Sequence, residues 1–425
     1  MGEKRYAARL PLPYQPSSSR TLTTRQRPHR RRRYPILVRI GVMLRHLDQH
    51  PGGVKAYTRR LLTALLARDE HEYVFFYHDP KVIGTFAGHP RVLEMAMPTR
   101  SRALWDQVAV PLAARRTGID VLFNPKYSMA LAAPCPNVWV CHGYNRPFHR
   151  RDLPFGDWVN FRFALPRYAA KASGIVAVSE TTRQHVIEYM GVPAERVHRV
   201  YLGVDDVFRR PVTPAAVKQA REKHALPERF FLFAGSLYPP KNFARLVRAF
   251  ARVGPSNGVH LVVAGGDNRF LCEADRRLPE ELGVSDWVRW TGWVPQDELP
   301  TFYAAATALV MPSLYEACPG PVLEAMAVGC RVVTADRFGS KEVADGNAIL
   351  VDPENVEAIA EGMTHALTEN GRGDAFIARG KIRAAEFTWG RCARETLTVL
   401  EAARAARKAT RRAWSPVGAP VIPRD

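Results

Sequence analysis

Acid is scarce in this chain of 425 residues, which holds 41 Asp and Glu against 61 Lys and Arg and so a formal net charge of +20. A surplus of that size suggests an anionic partner: nucleic acid, an acidic membrane surface or a phosphorylated substrate. Long apolar runs are missing too. The longest candidate, Tyr303 to Met311, is about half the ~18 residues a membrane span needs, and it contains threonine. The basic N-terminus has no apolar segment behind it, so no secretory signal is expected and the location expected is cytoplasmic. Cysteine is sparse, six residues with no C-x-x-C pair. A chain this long needs no disulfides, and reduced thiols suit a cytosolic protein. Cys135, Cys141 and His142 match no standard metal spacing and lack an evident fourth ligand. No Asp-x-Asp occurs either, and neither a metal nor a cofactor is expected.

What is present is ordinary globular material, 46 % apolar and 24 % charged, in a chain long enough for two sizeable cores. One stretch organises it, Pro312 to Ala327, P-S-L-Y-E-A-C-P-G-P-V-L-E-A-M-A. The apolar run Ala308 to Met311 before it is short enough to be a buried strand. Pro319, Gly320 and Pro321 form a tight loop, and Val322, Leu323, Ala325 and Met326 continue as a helix with proline near its first position, where no amide donor is lost. Glu316 then lies in the loop at the carboxyl end of a strand, and Glu324 in the first turns of the next helix. In an open parallel sheet that edge is where ligands bind, and a carboxylate there can accept hydrogen bonds from vicinal hydroxyls of a ribose or hexose. Taken alone, Glu316 reads rather as a solvated loop charge and Glu324 as a complement to the helix dipole.

Glu316, seven residues, Glu324 and the following Ala-Met-Ala-Val-Gly resemble the nucleotide-sugar motif of the retaining glycosyltransferases of group 1, family 4. Many members carry Glu-Gly-Phe-Gly where this chain has Glu316, Ala317, Cys318 and Pro319; the Glu-x-Cys-Pro form also occurs in the family. The resemblance spans Ile36 to Arg412. It implies the GT-B architecture, an α/β fold of two Rossmann-like domains facing a central cleft, with a C-terminal helix crossing back to the first domain.

Other segments follow in chain order. Residues 1–33 hold ten Lys/Arg and one acid, nine of the twenty surplus charges, and read as a basic disordered tail. Residues 34–204 read as a first, acceptor-side domain. After its first strand, Gly52 and Gly53 open a helix running from about Val54 to Arg68, where glycine lets a ligand approach and the helix N-terminus attracts an anion. Leu104 to Arg116 reads as a helix, and Pro166 is expected to kink or break a helix over Phe155 to Lys171. His142 follows the strand Val138 to Cys141, at a ligand-facing edge; the resemblance puts it near the reacting sugar, whereas alone it is as well a satisfied structural histidine. Residues 205–228 read as a linker. The second domain, 229–386, opens with a strand ending at Gly235. Lys241 and Asn242 follow, with Asn242 expected as the helix N-cap. A point cation and free amides would converge there, where a diphosphate belongs. Members often carry an arginine a few residues earlier; Ser236 and Pro240 stand there here, so positive charge on the diphosphate is thin unless another arginine reaches in. Val294, beside Trp293, is a candidate for packing the nucleobase. Residues 387–412 read as the returning helix and 413–425 as a loose tail.

The resemblance thus implies a retaining hexosyltransferase, with a lean towards a mannosyltransferase using GDP-mannose, that moves a sugar from a nucleoside diphosphate to a saccharide or lipid-linked saccharide in cell-surface polysaccharide synthesis. His142, Glu316 and Lys241 would act at the reacting centre. Gly52, Gly53, Gly235, Lys241, Asn242, Val294, Glu316, Cys318, Pro319, Gly320 and Glu324 would hold the donor. An anionic inner-membrane surface is a further partner suggested by the charge. Nucleic acid is disfavoured, because no zinc-finger or aromatic RNA-binding signature accompanies the charge. Two alternatives stay open: a GT-B phosphorylase or epimerase, and a basic nucleic-acid- or membrane-binding protein without catalysis.

Overall fold

A computed structural model describes residues 37–48, 52–144, 158–265, 273–368 and 374–413; the basic tail at 1–33 and the segment beyond Ala413 lie outside them. Strands β1 (Arg39–Met43), β2 (Glu72–Tyr77), β3 (Val92–Ala96), β4 (Val121–Asn124), β5 (Asn137–Cys141), β6 (Gly174–Ala177) and β7 (Val197–Arg199) form one sheet, in the order β3-β2-β1-β4-β5-β6-β7. Strands β8 (Phe230–Ala234), β9 (His260–Ala264), β10 (Val288–Gly292), β11 (Ala308–Met311), β12 (Val332–Ala335) and β13 (Ile349–Val351) form the other, in the order β10-β9-β8-β11-β12-β13. Every pairing is parallel. Helices cover both faces of such sheets, which is why β5, β8 and β11 are buried along their whole length and read as apolar runs.

Strand order reverses between β1 and β4 in the first sheet and between β8 and β11 in the second. Loops leaving those strands diverge, and a crevice opens between them at the carboxyl edge. Gly52 and Gly53 leave β1, Gly235 to Asn242 leave β8, and Ser313 to Gly320 leave β11. His142 leaves β5, one strand further on.

On one face of the first sheet, Val38, Ile40 and Val42 pack against Tyr57, Leu61 and Leu65 of the helix Gly53–Leu66 and against Cys392, Leu397 and Leu400 of the C-terminal helix Trp389–Ala413. The C-terminal helix therefore returns to the first half. The chain crosses between the halves near Val204 and again near Phe387, and the Val204 amide donates to the Phe387 carbonyl at 2.9 Å. The crossings approach so closely at Gly203 that a Cβ there would lie 2.3 Å from the Trp389 amide nitrogen, so only glycine fits.

Two helical details have backbone causes. The helix between β3 and β4 is α-helical at Arg102–Leu104 and Val110–Thr117 with a π turn at Trp105–Ala109 between them. Pro111, which has no N–H to donate, sits in the first turn after that irregularity. Pro166 likewise stands in the first turn of the helix Leu165–Lys171, just behind a π turn at Asn160–Ala164. It distorts the helix without ending it: the helical run continues from 158 to 171, and the wider turn ahead of the proline takes up the missing donor.

Candidate functional site

The loops after β8 and β11 are tied together before any ligand is considered. The Leu314 amide donates to the Pro240 carbonyl at 2.7 Å. Asn242 Nδ2 donates to the carbonyls of Pro312 at 2.8 Å and Pro353 at 2.6 Å. Asn242 occupies the N-cap position of the helix Phe243–Val253 but makes no side-chain cap; its φ of 62° is left-handed, and its buried amide braces two loops instead. The expected cap is corrected on that geometry: a left-handed backbone turns the side chain away from the N2 and N3 amides, and two carbonyls compete for it.

This brace sets Lys241 against Glu316, with Nζ 2.5 Å from Oε1 and the two side chains only 17 % and 12 % exposed. Ser313 Oγ donates to the same carboxylate oxygen at 2.9 Å. Glu324, on the helix Gly320–Val328, accepts from the hydroxyl of the buried Tyr303 at 2.9 Å. Desolvation pushes its carboxyl up to about 7, opposed by the Tyr303 hydrogen bond and the positive charge of Arg60, and assisted by Asp205. Arg60 comes from the helix Gly53–Leu66, in the other half, and its Nε pairs with Asp205 Oδ2 at 2.6 Å. Its charge reaches Glu324 from across the two halves, whereas no arginine is placed beside Ser236 and Pro240 by these contacts.

The first half supplies its own edge. Gly52 is extended, with φ 179°, and carries no side-chain cap for the helix that follows; a Cβ at Gly52 or Gly53 would meet nothing within 4 Å. One turn in, the Tyr57 ring lies edge-on to His142 with centroids 4.8 Å apart. His142 Nε2 lies 2.7 Å from the Pro125 carbonyl oxygen, so that nitrogen carries the proton and Nδ1 the lone pair. Desolvation lowers its pKa to about 4, the Pro125 carbonyl opposing and Lys126 adding to the effect, so the imidazole is neutral at physiological pH.

The two edges touch. Gly143 has φ 131°, and a Cβ there would stand 2.9 Å from the Ala317 Cβ and 3.3 Å from the Tyr315 hydroxyl. The Tyr144 amide donates to that hydroxyl at 3.1 Å. His142 and Glu316 are therefore sequence neighbours of residues in contact across the cleft. Gly235 has φ 133°, and its carbonyl oxygen would lie 1.8 Å from a Cβ on Gly265. Val294 is buried beyond the end of β10, whereas the neighbouring Trp293 is 63 % exposed. Pro319 caps and Gly320 begins the helix that bears Glu324. Cys318 is half-buried, and its thiol is pushed well above the usual range by desolvation, which makes it packing rather than a nucleophile.

Residues 216–383 match the family model of the glycosyl transferases group 1, and residues 51–208 that of glycosyltransferase family 4. A GDP-mannose-dependent alpha-(1-6)-phosphatidylinositol monomannoside mannosyltransferase of Mycobacterium tuberculosis is 30 % identical over 379 residues, covering 84 % of this chain and 96 % of that protein. The chain belongs to the group 1 glycosyltransferases. The O-antigen chain mannosyltransferase B of Escherichia coli is 28 % identical over 225 residues, 52 % of this chain and 59 % of that one. The chain spans about half the length of several curated relatives it matches. In fold it is similar to HepE of Anabaena, solved with UDP and glucose, at TM-score 0.70 and 18 % identity, covering 86 % of this chain and all of that one. The two parallel sheets and the returning helix are the GT-B architecture.

Sequence reasoning on this glycosyltransferase missed Tyr303, Arg60, Tyr315 and Asp205. Tyr303 stands in an apolar run of the sequence, and nothing local singles out Arg60 within its helix. Pairing each with a carboxylate needed the relative placement of segments far apart in the chain.

Proposed function

We propose that this protein is a retaining glycosyltransferase that moves a hexose, mannose from GDP-mannose in the favoured case, onto a saccharide or lipid-linked saccharide acceptor at the cytoplasmic face of a membrane during cell-surface polysaccharide synthesis. The observation that carries the reading is the Lys241–Glu316 pair, 2.5 Å apart at the switch-point edge of the second sheet, with Glu324 on the helix that follows the same loop. The relatives named as mannosyltransferases, one acting on a phosphatidylinositol mannoside, support the donor and the lipid-linked acceptor.

Glu324 accepts the ribose hydroxyls, and Val294 packs the base. Lys241 meets the diphosphate, where its charge and the amides at Gly52, Gly53 and Gly320 offset the negative charge that grows as the sugar leaves. Glu316 accepts a hydroxyl of the donor sugar, and Asn242 and Gly235 hold the loop that presents Lys241. His142, neutral with its lone pair on Nδ1, accepts a hydrogen bond from the same sugar. Cys318 and Pro319 shape the loop between the two glutamates. The bond from C1 to the diphosphate oxygen breaks, and the acceptor oxygen bonds C1 from the same face. Its proton passes to the departing phosphate oxygen. No carboxylate in the first half is assigned as a nucleophile, and this front-face route requires none. Neither a metal nor a cofactor is part of the reading.

The test is calorimetric binding of UDP, GDP, ADP and their sugars to the wild type and to Glu324→Ala. One nucleotide series should bind the wild type and lose at least about tenfold in affinity in the variant, as removal of a hydroxyl–carboxylate contact does. Absence of binding by every nucleotide sinks the reading. The anomeric configuration of the product, read by NMR, tests retention.

A further inference from the structure

Large apolar side chains on the outside of this protein are concentrated in the first half. Leu104, Val108 and Leu112 are 45 %, 45 % and 47 % exposed. They recur every four residues along the helical segment 102–117, so they fall on one side of it. The opposite side is the buried one, with Trp105, Val110, Ala113 and Ala114 in the core beneath the sheet. Leu131, also exposed, stands beside the stripe, because Gln107 accepts from the Leu131 amide at 3.0 Å and donates to the Met129 carbonyl at 2.9 Å. A helix with an apolar inner face and an apolar outer stripe is not explained by its own domain's packing.

Charge says what covers the stripe. From Met95 to Ile119 there are four arginines, Arg100, Arg102, Arg115 and Arg116, all exposed, and one acid. That acid, Asp106, is buried and turned inward to Arg45. The stripe is thus bracketed at both ends by cations with no exposed acid between them. Apolar side chains flanked by arginines match a bilayer, whose headgroups are anionic and whose acyl chains begin a few ångströms below. We propose that Leu104, Val108, Leu112 and Leu131, with their arginine rim, are the surface by which this protein docks on an anionic membrane. This names the surface for the membrane-side acceptor of the function proposed above, and it rests on that reading only for its purpose.

Flotation of the full chain with vesicles of phosphatidylcholine alone, or of phosphatidylcholine with phosphatidylglycerol, tests it, with the variants Leu104→Ser/Val108→Ser/Leu112→Ser and Arg115→Glu/Arg116→Glu. The wild type should float with the anionic vesicles. The triple serine variant, its charge unchanged, should lose about tenfold or more in partition, as apolar burial at an interface demands. The glutamate variant should lose comparably at low salt and less at high salt, where the headgroup attraction is already screened. Hydrogen exchange of the wild type guards against a misfolded variant: anionic vesicles should slow the amides of residues 102–117. Wild-type binding that survives the serines, protection confined to other segments, or a dimer that the serines dissolve each overturns the proposal; the last would make the stripe an interface between copies. Nucleotide-sugar binding, measured on the same samples, separates the two claims. Its absence removes the enzymatic reading and leaves the vesicle result standing, whereas lost docking with intact donor binding removes only the docking.

Discussion

Glu324 gains its chemistry from its neighbours. Burial disfavours its charge and moves the carboxyl up to about 7, while ribose hydroxyls donate best to the ionised form. Donor binding must then draw the proton off, so affinity should fall as pH drops through 7 and level out above 8. Calorimetry between pH 5.5 and 8.5 checks the sign, and Glu324→Gln should bind weakly with that pH dependence gone. His142, shifted down to about 4, contributes no step in the same window. The Lys241–Glu316 pair makes a second prediction. Both side chains are largely buried, so Lys241→Met strands a carboxylate and should cost a few kcal/mol in thermal stability. Adding Glu316→Gln should restore most of that stability without restoring donor affinity, which separates the pair's structural role from its binding role.

At the scale of elements, one helix end is held from the opposite half. Ser179 Oγ caps the helix Glu180–Met190 locally, accepting from the Thr182 amide at 3.0 Å. The Glu342 carboxylate, from the helix Phe338–Ala344, accepts from the Glu180 amide at 2.6 Å, the Thr181 amide at 2.8 Å and the Thr181 hydroxyl at 2.7 Å. It also accepts from the Tyr201 hydroxyl at 2.8 Å. A carboxylate on orphan amides at a helix N-terminus is stabilised by both hydrogen bonds and dipole. Glu342→Ala should cost about 1–3 kcal/mol, read by denaturant unfolding, and speed exchange of the Glu180 and Thr181 amides. The Ser179 cap is a local contact, between residues three apart in the chain, of the kind a sequence carries. Asn242 was misread by the same rule, because its left-handed backbone and two carbonyls from other loops override local preference.

At the scale of the whole molecule, the two halves join at two crossings. Asp205, beside the first, accepts from Arg60 of the first half, from Gln296 at 2.9 Å in the second, and from Trp389 Nε1 at 2.7 Å at the second crossing. Gly203 lies within this junction, where an added methyl would meet backbone rather than a movable side chain. Gly203→Ala should therefore lower stability by about 1–3 kcal/mol, more than the same change at the exposed Gly390, where a Cβ meets nothing, and differential scanning calorimetry of the two variants compares them.

Some of this was determined by sequence alone. Alternating buried strands and amphipathic helices dictate two parallel sheets, since period and burial are properties of neighbouring residues. The glycines, prolines and glutamates from Gly52 to Glu324 mark the loops at one sheet edge, because such loops require those residue types at those spacings. The tertiary structure decided what depends on distance between remote segments. It paired Lys241 with Glu316, set Tyr303 under Glu324, brought Arg60 and Asp205 beside it, and turned the outer stripe of residues 102–117 to solvent. A carboxylate's charge state and a leucine's exposure depend on what packs against them, and chain order does not contain that.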